Sequence, residues 1–299
     1  MITALKIIFI LAAILIASAL YLKKRNELNP YRYFSLVSII FTFGSLASIV
    51  IYILTMGIPY LKPQMFSLEY TTDNVTMLPS IITTLIVVVL GILIAAPVGI
   101  FTAIYLVEYA KSGSKVVEVI RLAAETLQGI PSIVYGLFGM LFFVNRINLG
   151  YSILSGVFTI SIMILPLIIR STEEALKSVD NSLREASFGL GAGKLRTIFK
   201  VVLPVAIPGI LAGVVLAVGR IVGETACLIY TLGTATSLPK GLFSSSRTLA
   251  LHMYMLSSEG LYVGEAYASA MVLLLVVVLL NFIATKIGNK ISEVEVWAR

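Results

Sequence analysis

Charged residues are scarce in this chain. Asp, Glu, Lys and Arg make up only 12% of its 299 residues, against roughly 25% in soluble domains. Hydrophobic residues make up 59%, and the mean hydropathy is +1.01. A soluble protein of this length could not bury so much apolar surface, so a soluble domain is excluded. The composition predicts an all-α fold, in which a polytopic bundle of helices crosses a membrane.

Cysteine and histidine are nearly absent, with one of each, Cys227 and His252. A single cysteine excludes an internal disulfide, and the two residues together make no Cys/His metal site. We expect His252 to be a surface residue of an external loop. The sequence also has no acid–base or nucleophile constellation, so neither an enzyme nor a cofactor is expected.

A phosphate-binding loop is missing as well. Residues 189–194 read Gly-Leu-Gly-Ala-Gly-Lys, but Phe188 stands where the first glycine is needed. Leu195 stands where Ser or Thr would hold magnesium. Any ATP hydrolysis is therefore expected on a separate chain.

Long apolar runs are what the sequence has in abundance. Seven runs reach the length of about 20 residues that crosses a bilayer. They lie near 2–22, 33–57, 79–107, 127–145, 150–170, 207–230 and 266–286. Lys23, Lys24 and Arg25 directly follow the first run, whereas a cleaved signal carries its charge ahead of the apolar core. We therefore predict an uncleaved first span with the N-terminus outside.

Lys and Arg are unevenly divided between the two predicted sides of the membrane. One side carries sixteen of them and the other five. The richer side consists of 23–32, 108–126, 170–203 and 286–299. Positive residues favour the cytoplasmic side, so these segments and the C-terminus are predicted to be cytoplasmic. The net charge of +7 is then a matter of topology, and nucleic acid is not an expected partner.

Two segments outside the spans predict short helices. Residues 115–127, on the cytoplasmic side, predict a solvated helix in which Arg121 pairs with Glu118 and Glu125. The external loop 231–264 contains an apolar stretch at 249–256, which suits an interfacial or re-entrant helix.

The longest polar interruption of the apolar pattern runs from Arg184 to Pro204. Glu185-Ala186-Ser187 is followed after three residues by a glycine, and after nine more by Val-Val-Leu-Pro. This spacing resembles the EAA loop of bacterial ABC importer permeases, with Ser187 and Val201 in place of Ala and Ile. The resemblance implies that the loop couples the chain to an ATPase. The coupling residues would be Arg184, Glu185, Ala186, Ser187, Gly191, Leu203 and Pro204.

Arg220 and Glu224 lie inside a predicted span, four residues apart and so on one face of a helix. A lone charge at mid-bilayer is costly and needs a partner. One interpretation is a self-neutralising pair that only fixes packing. The other is that Arg220 lines a route for an anion, with Glu224 setting its rotamer or gating it. A guanidinium suits an oxyanion because its planar fork donates two parallel hydrogen bonds.

Glycines mark two elements of close helix packing. In the sixth predicted span, Gly209 and Gly213 stand four residues apart, as do Gly219 and Gly223, and such spacing favours tight helix contact. At the start of the fourth predicted span, Gly129, Pro131 and Gly136 predict a broken helix that packs closely or lines a pathway.

Four stretches together resemble the permeases of phosphate ABC importers. They are residues 103–110, 129–136, 184–187 and 220–226. The resemblance runs from about Leu78 to the C-terminus. Gly223-Glu224-Thr225-Ala226 favours the PstA-type subunit over its PstC-type partner. Cys227 stands where the family commonly has proline, which leaves the helix break at this point open.

The resemblance implies a domain plan. A six-span permease core would be preceded by one extra N-terminal span. The segments would be 1–32 for the extra span and basic linker, 33–77 for the first core span and external loop, 78–288 for the permease core with its coupling loop 171–203, and 289–299 for the cytoplasmic tail.

The resemblance also implies a function, the import of phosphate across the inner or plasma membrane. The chain would form the pathway together with a PstC-type permease, in contact with membrane lipid. Separate ATP-hydrolysing subunits and an extracytoplasmic phosphate-binding protein would complete the importer. Arg220, Glu224 and Thr225 would line the pathway.

Two alternatives stay open at this stage. One is a permease for another oxyanion, such as molybdate, tungstate or sulfate. The other is a membrane scaffold or sensor subunit that transports nothing and docks a signalling partner on its loop.

Overall fold

The computed structural model describes residues 30–111 and 113–297. It is 77% helical, and the described residues contain no strand, which confirms the predicted all-α class. The predicted span 2–22 and the basic residues that follow it lie outside the described part of the chain.

The helices are named here in chain order. They are α1 (Pro30–Gly57), α2 (Leu78–Tyr109), α3 (Lys115–Gln128), α4 (Ser132–Arg146), α5 (Ile153–Lys177), α6 (Asn181–Gly189), α7 (Lys194–Val222), α8 (Ala226–Ile229), α9 (Leu249–Glu259) and α10 (Val263–Trp297). Single π-helical turns end α2 and α4 and lie inside α7.

Five of the described helices, α1, α2, α5, α7 and α10, are long and apolar enough to cross a membrane. The pair α3 and α4 would make a sixth span, but the two helices are bent by 102° at residues 129–131. Gly129 and Pro131 explain the bend, because proline cannot continue the hydrogen-bond ladder. The described chain is therefore a multi-pass membrane protein.

Two boundaries differ from the sequence prediction. The sixth predicted span, 207–230, is instead a helix that begins at Lys194 and stops at Val222. The last helix continues to Trp297, through residues that the sequence assigned to a tail.

α5 is the centre of the bundle. It packs against α2 on one side and α7 on another, and Val157, Ile160, Ile164 and Ile168 are fully buried along it. Aliphatic residues on this helix face protein rather than lipid, whereas α1 stays exposed along its apolar length. An exposed apolar helix is what a lipid-facing position requires.

The two ends of α5 define the two ends of the bundle. Its 25 residues span about 37 Å at 1.5 Å per residue. At its start, the backbone N–H of Ile153 donates to the carbonyl of Ser244 (3.2 Å), in the loop that leads to α9. Its last residue, Lys177, lies four residues before α6. We refer to these as the α9 end and the α6 end.

Candidate coupling and pathway sites

The helix α6 contains the residues predicted to couple the chain to an ATPase. The Asp180 carboxylate caps its first turn by accepting a hydrogen bond from the backbone N–H of Ser182 (2.8 Å). Hydrogen bonds from Ser182 lower the pKa of this carboxyl below its ordinary value. After the helix, Gly191 has φ +83°, a left-handed conformation that glycine adopts without strain, and the chain turns there into α7.

Arg184 anchors α6 to the rest of the bundle. Its Nε and Nη2 atoms donate to Oε1 of Glu108 at 3.1 and 2.8 Å. Nη2 also donates to the Leu176 carbonyl (2.9 Å), and Nη1 donates to the Val179 carbonyl (2.8 Å). The Arg184 and Glu108 side chains are only 13% and 9% exposed. One guanidinium therefore joins α6 to the ends of both α2 and α5.

A second contact closes the turn between α6 and α7. The hydroxyl groups of Ser187 and Thr197 form a hydrogen bond of 2.8 Å, and both side chains are buried. Ser187 is the residue that departs from the Ala of the EAA pattern, and its hydroxyl has a partner ten residues away. Leu203 and Pro204 lie half-buried further along α7.

The opposite face of the same turn is open. Glu185 and Ala186 are exposed, and Glu185 has no hydrogen-bond or ion-pair partner among the described residues. Phe188 is 47% exposed and Leu190 is 90% exposed. The segment thus combines a rigidly held inner face with a free outer face of mixed apolar and acidic character.

The predicted ion pairs within α3 are wrong. Arg121 reaches across to Glu173 of α5 (Nε–Oε1 2.6 Å), and Lys177 contacts the same carboxylate at 2.7 Å. Glu173 is only 2% exposed. α3 is not a fully solvated helix but lies against α5, so Arg121 meets a buried carboxylate there. Such a contact is stronger than an exposed pair along one helix.

A break separates the two charged residues of the sixth predicted span. α7 ends at Val222, and Glu224 lies beyond it. The Oε1 atom of Glu224 accepts a hydrogen bond from the backbone N–H of Cys227 (3.0 Å), in the first turn of α8. The prediction that Arg220 and Glu224 share one helix face is therefore wrong. The helix breaks here without the proline common in the family, because a glycine ends α7 and Glu224 supplies an acceptor.

Arg220 is half-buried near the end of α7. Among the described residues, no carboxylate lies within 4 Å of its guanidinium. It interacts electrostatically with Tyr135 of α4. The neighbouring Ile221 lies beside Gly91 and is fully buried, as is Ile160, about 10 Å along α5 from its first residue. Arg220 thus lies within the membrane-spanning region, without a counter-ion in the described chain.

The bend between α3 and α4 packs directly against the break between α7 and α8. A Cβ atom on Gly136 would come within 3.0 Å of the Cα and carbonyl oxygen atoms of Cys227, so only glycine allows this approach. The Tyr135 hydroxyl donates to the Leu127 carbonyl (2.8 Å) across the bend at Gly129 and Pro131. Two sequence motifs that are about ninety residues apart therefore form one structural unit.

A cavity of about 180 Å³ opens where these two broken helices meet α9. Thr225 contributes to its wall. The full lining is Ile133, Thr225, Ala226, Ile229, Tyr230 and Tyr254. The volume exceeds that of several water molecules at about 30 Å³ each.

The two glycine pairs of α7 differ in their surroundings. A Cβ atom on Gly209 would lie 2.7 Å from the Ala175 Cβ, and one on Gly213 would overlap Ser171, so this pair faces α5. A Cβ atom on Gly219 would meet nothing within 4 Å, and one on Gly223 would meet only the Gly219 carbonyl at 3.7 Å. The second pair is open among the described residues.

His252 is not the surface residue that we predicted. It lies in α9 and is completely buried. The apolar stretch around it does form a helix, but this helix packs along α10, which covers the ring.

Several residues of these sites have no local signal in the sequence. Glu108, Glu173 and Thr197 meet their partners through tertiary packing, and the Glu108–Arg184 contact joins residues 76 positions apart. For Glu108 and Glu173 the available signal is an acidic residue next to a long apolar run, where charge is costly without a partner.

Comparison with known families gives one match over most of the chain. Residues 95–293 match the family described as binding-protein-dependent transport system inner membrane component. The probable ABC transporter permease protein YqgI of Bacillus subtilis is 36% identical over 217 residues, which are 67% of this chain and 74% of the relative.

Two relatives are described as phosphate permeases. The phosphate transport system permease protein PstA 1 of Mycobacterium tuberculosis H37Rv is 32% identical over 197 residues, 65% of this chain and 63% of the relative. The phosphate transport system permease protein PstA homolog of Mycoplasma pneumoniae is 33% identical over 69% of this chain and 33% of its own length. This chain thus spans a third to two thirds of these two relatives.

Solved structures share the fold at low sequence identity. A bacterial alginate ABC transporter, in complex with an alginate-bound periplasmic protein, aligns with a TM-score of 0.65 at 16% identity, over 88% of this chain and 94% of that one. The MetNI methionine ABC transporter aligns with a TM-score of 0.55 at 19% identity, over 79% and 99%.

Proposed function

The chain belongs to the family of binding-protein-dependent transport system inner membrane components, as an ABC importer permease subunit of the PstA type, and on this basis we propose that it forms part of the pathway of an ATP-driven importer of inorganic phosphate. ABC permease subunits are not themselves enzymes. ATP hydrolysis would occur on separate subunits.

The arrangement of α6 is the observation that carries the coupling part of this proposal. A helix that transmits force must be fixed to the bundle on one face and free to dock on the other. Arg184 and Ser187 supply the fixed face, while Glu185, Ala186 and Leu190 supply the free one. Gly191 turns the chain into α7, which ends two residues after Arg220. Leu203 and Pro204 lie on this connection.

The choice of phosphate rests on two supports. The relatives described as PstA proteins transport phosphate by name, and Arg220 is a guanidinium within the membrane region with no carboxylate partner in the described chain. A buried cation of this kind favours an oxyanion. In this proposal Thr225 belongs to the pathway wall, and Glu224 holds the break that shapes it.

The proposed partners follow from the same assignment. ATP-hydrolysing subunits would dock on the free face of α6, and a PstC-type permease would complete the pathway. The open Gly219–Gly223 face would lie on the pathway side, where close approach of a second chain is possible. An extracytoplasmic phosphate-binding protein would dock at the α9 end. The α6 end and the C-terminus would then be cytoplasmic, in the inner or plasma membrane.

Uptake of labelled phosphate by the reconstituted importer tests the substrate and the role of Arg220 together. We expect Arg220→Gln to lower uptake at least tenfold, because a neutral amide cannot stabilise the desolvated anion, and Arg220→Lys to retain part of the activity. Arg146→Gln, at an exposed arginine, is the matched control and should leave uptake unchanged. Unchanged uptake in Arg220→Gln would leave this residue a packing role only.

Competition by other anions tests the substrate class itself. Excess unlabelled phosphate should abolish uptake, while molybdate, tungstate and sulfate should leave most of it. Stronger inhibition by one of these three would assign the permease to that anion. An ATPase activity that does not respond to the loaded binding protein would favour a scaffold or sensor role.

A further inference from the structure

A second buried cation lies at the α9 end, apart from Arg220. Arg247 directly precedes Thr248, the residue that caps α9, and it is only 4% exposed. Its Nε and Nη2 atoms are buried and have no hydrogen-bond partner in the described part of the chain. A guanidinium is charged at any physiological pH and cannot lose its proton to escape burial.

His252 lies one turn into α9 and is close enough to Arg247 for the two to interact electrostatically. It is completely buried, and neither ring nitrogen has a hydrogen-bond partner within residues 30–111 and 113–297. Burial, together with the positive charge of Arg247, lowers the pKa of His252 to about 3. The ring is therefore neutral at pH 7 and has one N–H to donate.

No carboxylate neutralises Arg247 in the described residues. Glu259 attracts it electrostatically, but this side chain is exposed and lies beyond the 4 Å of an ion pair. The Tyr70 ring lies 5.1 Å from the guanidinium carbon and offers only a cation–π contact. A buried charge without an ionic partner is strongly unfavourable, so the site needs an acceptor from outside the described chain.

The backbone around Arg247 is held in place. The Ser246 hydroxyl bonds to the Thr83 hydroxyl (2.7 Å), and the backbone N–H of Leu249 donates to the Thr84 hydroxyl (2.9 Å). These hydroxyl groups belong to α2, so the segment is fixed on both sides of Arg247. The guanidinium cannot swing out to water without breaking these contacts.

From these observations we infer that Arg247 and His252 hold a small inorganic anion at the α9 end of the bundle. Nε and Nη2 donate side by side, in the arrangement that suits two acceptor positions of one anion. The neutral His252 ring adds a third N–H. The site is separate from the Arg220 region, and its existence does not depend on the identity of the transported substrate.

Thermal unfolding of the complete purified assembly, reconstituted in lipid nanodiscs, tests this inference. The unfolding midpoint is measured in gluconate, a large anion, and then with added chloride or inorganic phosphate at constant ionic strength. An anion that binds only the folded state should raise the midpoint by several degrees at saturation. Arg247→Gln should abolish this rise. Arg146→Gln, at an exposed arginine, should retain it and so corrects for general salt effects.

The sign of a second substitution makes the test sharper. If an anion neutralises Arg247, then Arg247→Met should lower the midpoint in chloride or phosphate relative to the unaltered chain. If the guanidinium is simply buried without a partner, Arg247→Met should raise it in every buffer. A raised midpoint, or an anion response that Arg247→Gln leaves intact, would overturn the inference. The anion that acts at the lower concentration identifies the ligand.

Discussion

At the scale of single residues, the Glu108–Arg184 pair determines how α6 is held. The side chains are mostly buried, and Arg184 also satisfies two backbone carbonyls at the end of α5 and after it. Removing one partner of such a pair leaves the other charge unpaired in a poorly solvated place. The attachment of α6 should therefore depend on this pair more than on any exposed ion pair nearby.

Glu108→Gln should loosen α6 without unfolding the bundle. Breaking a buried pair costs about 3 kcal/mol, which corresponds to roughly a hundredfold faster local opening. Hydrogen exchange of the α6 amides measures this opening directly. Glu118→Gln changes an exposed glutamate of the neighbouring helix and should leave α6 exchange unchanged. Equal exchange in both variants would mean that the pair does not hold α6.

The role of Glu224 can be separated into its charge and its acceptor oxygen. Glu224→Gln keeps an oxygen for the Cys227 N–H, whereas Glu224→Ala leaves that buried N–H unpaired. We expect the alanine variant to lose about 1–2 kcal/mol of stability and the glutamine variant to lose much less. Thermal unfolding of the two variants decides the matter. Equal losses would show that the negative charge, not the hydrogen bond, matters here.

At the scale of elements, the contact between α5 and α7 depends on the absence of side chains on one face of α7. A methyl group on Gly213 would overlap Ser171, so Gly213→Ala should cost about 1–3 kcal/mol. Ser171→Gly in the same chain should restore most of that stability. The control is Gly219→Ala, which meets open space and should be neutral or slightly stabilising. Unfolding midpoints of the four chains test the contact.

The sequence predicts this level of structure only in part. Apolar runs of 20 residues locate α1, α2, α5, α7 and α10 because bilayer thickness fixes their length. The breaks are harder to locate. Gly129 and Pro131 predict the bend before α4, but the end of α7 depends on a hydrogen bond between Glu224 and Cys227, which no periodicity reveals.

The candidate sites follow the same division. The EAA spacing predicts α6 and its exposed residues, since those positions are close in sequence. The partners of Arg184, Arg121 and Ser187 come from tertiary packing and are missed. His252 is misassigned because a single histidine in a polar loop carries no information about the helix that covers it.

At the scale of the whole molecule, α7 connects the two proposed sites. It begins three residues after Gly191 and runs 26 residues to Arg220, about 39 Å, with one π-helical turn on the way. A displacement of α6 can therefore reach the pathway through a single helix. This connection is the central claim, and it requires α6 to face the ATPase in the cytoplasm.

Labelling of one introduced cysteine tests that claim most directly. The chain has a single cysteine, Cys227, which is buried, so Leu190→Cys provides one accessible thiol at a side chain that is 90% exposed. The matched control is Leu261→Cys, 79% exposed at the α9 end. In oriented membrane vesicles, a membrane-impermeant maleimide should label Leu190→Cys only from the cytoplasmic face, and bound ATPase subunit should protect it. Leu261→Cys should be labelled only from the opposite face, without protection. Labelling of Leu190→Cys from the outer face, or at the same rate with and without the ATPase subunit, would contradict the account.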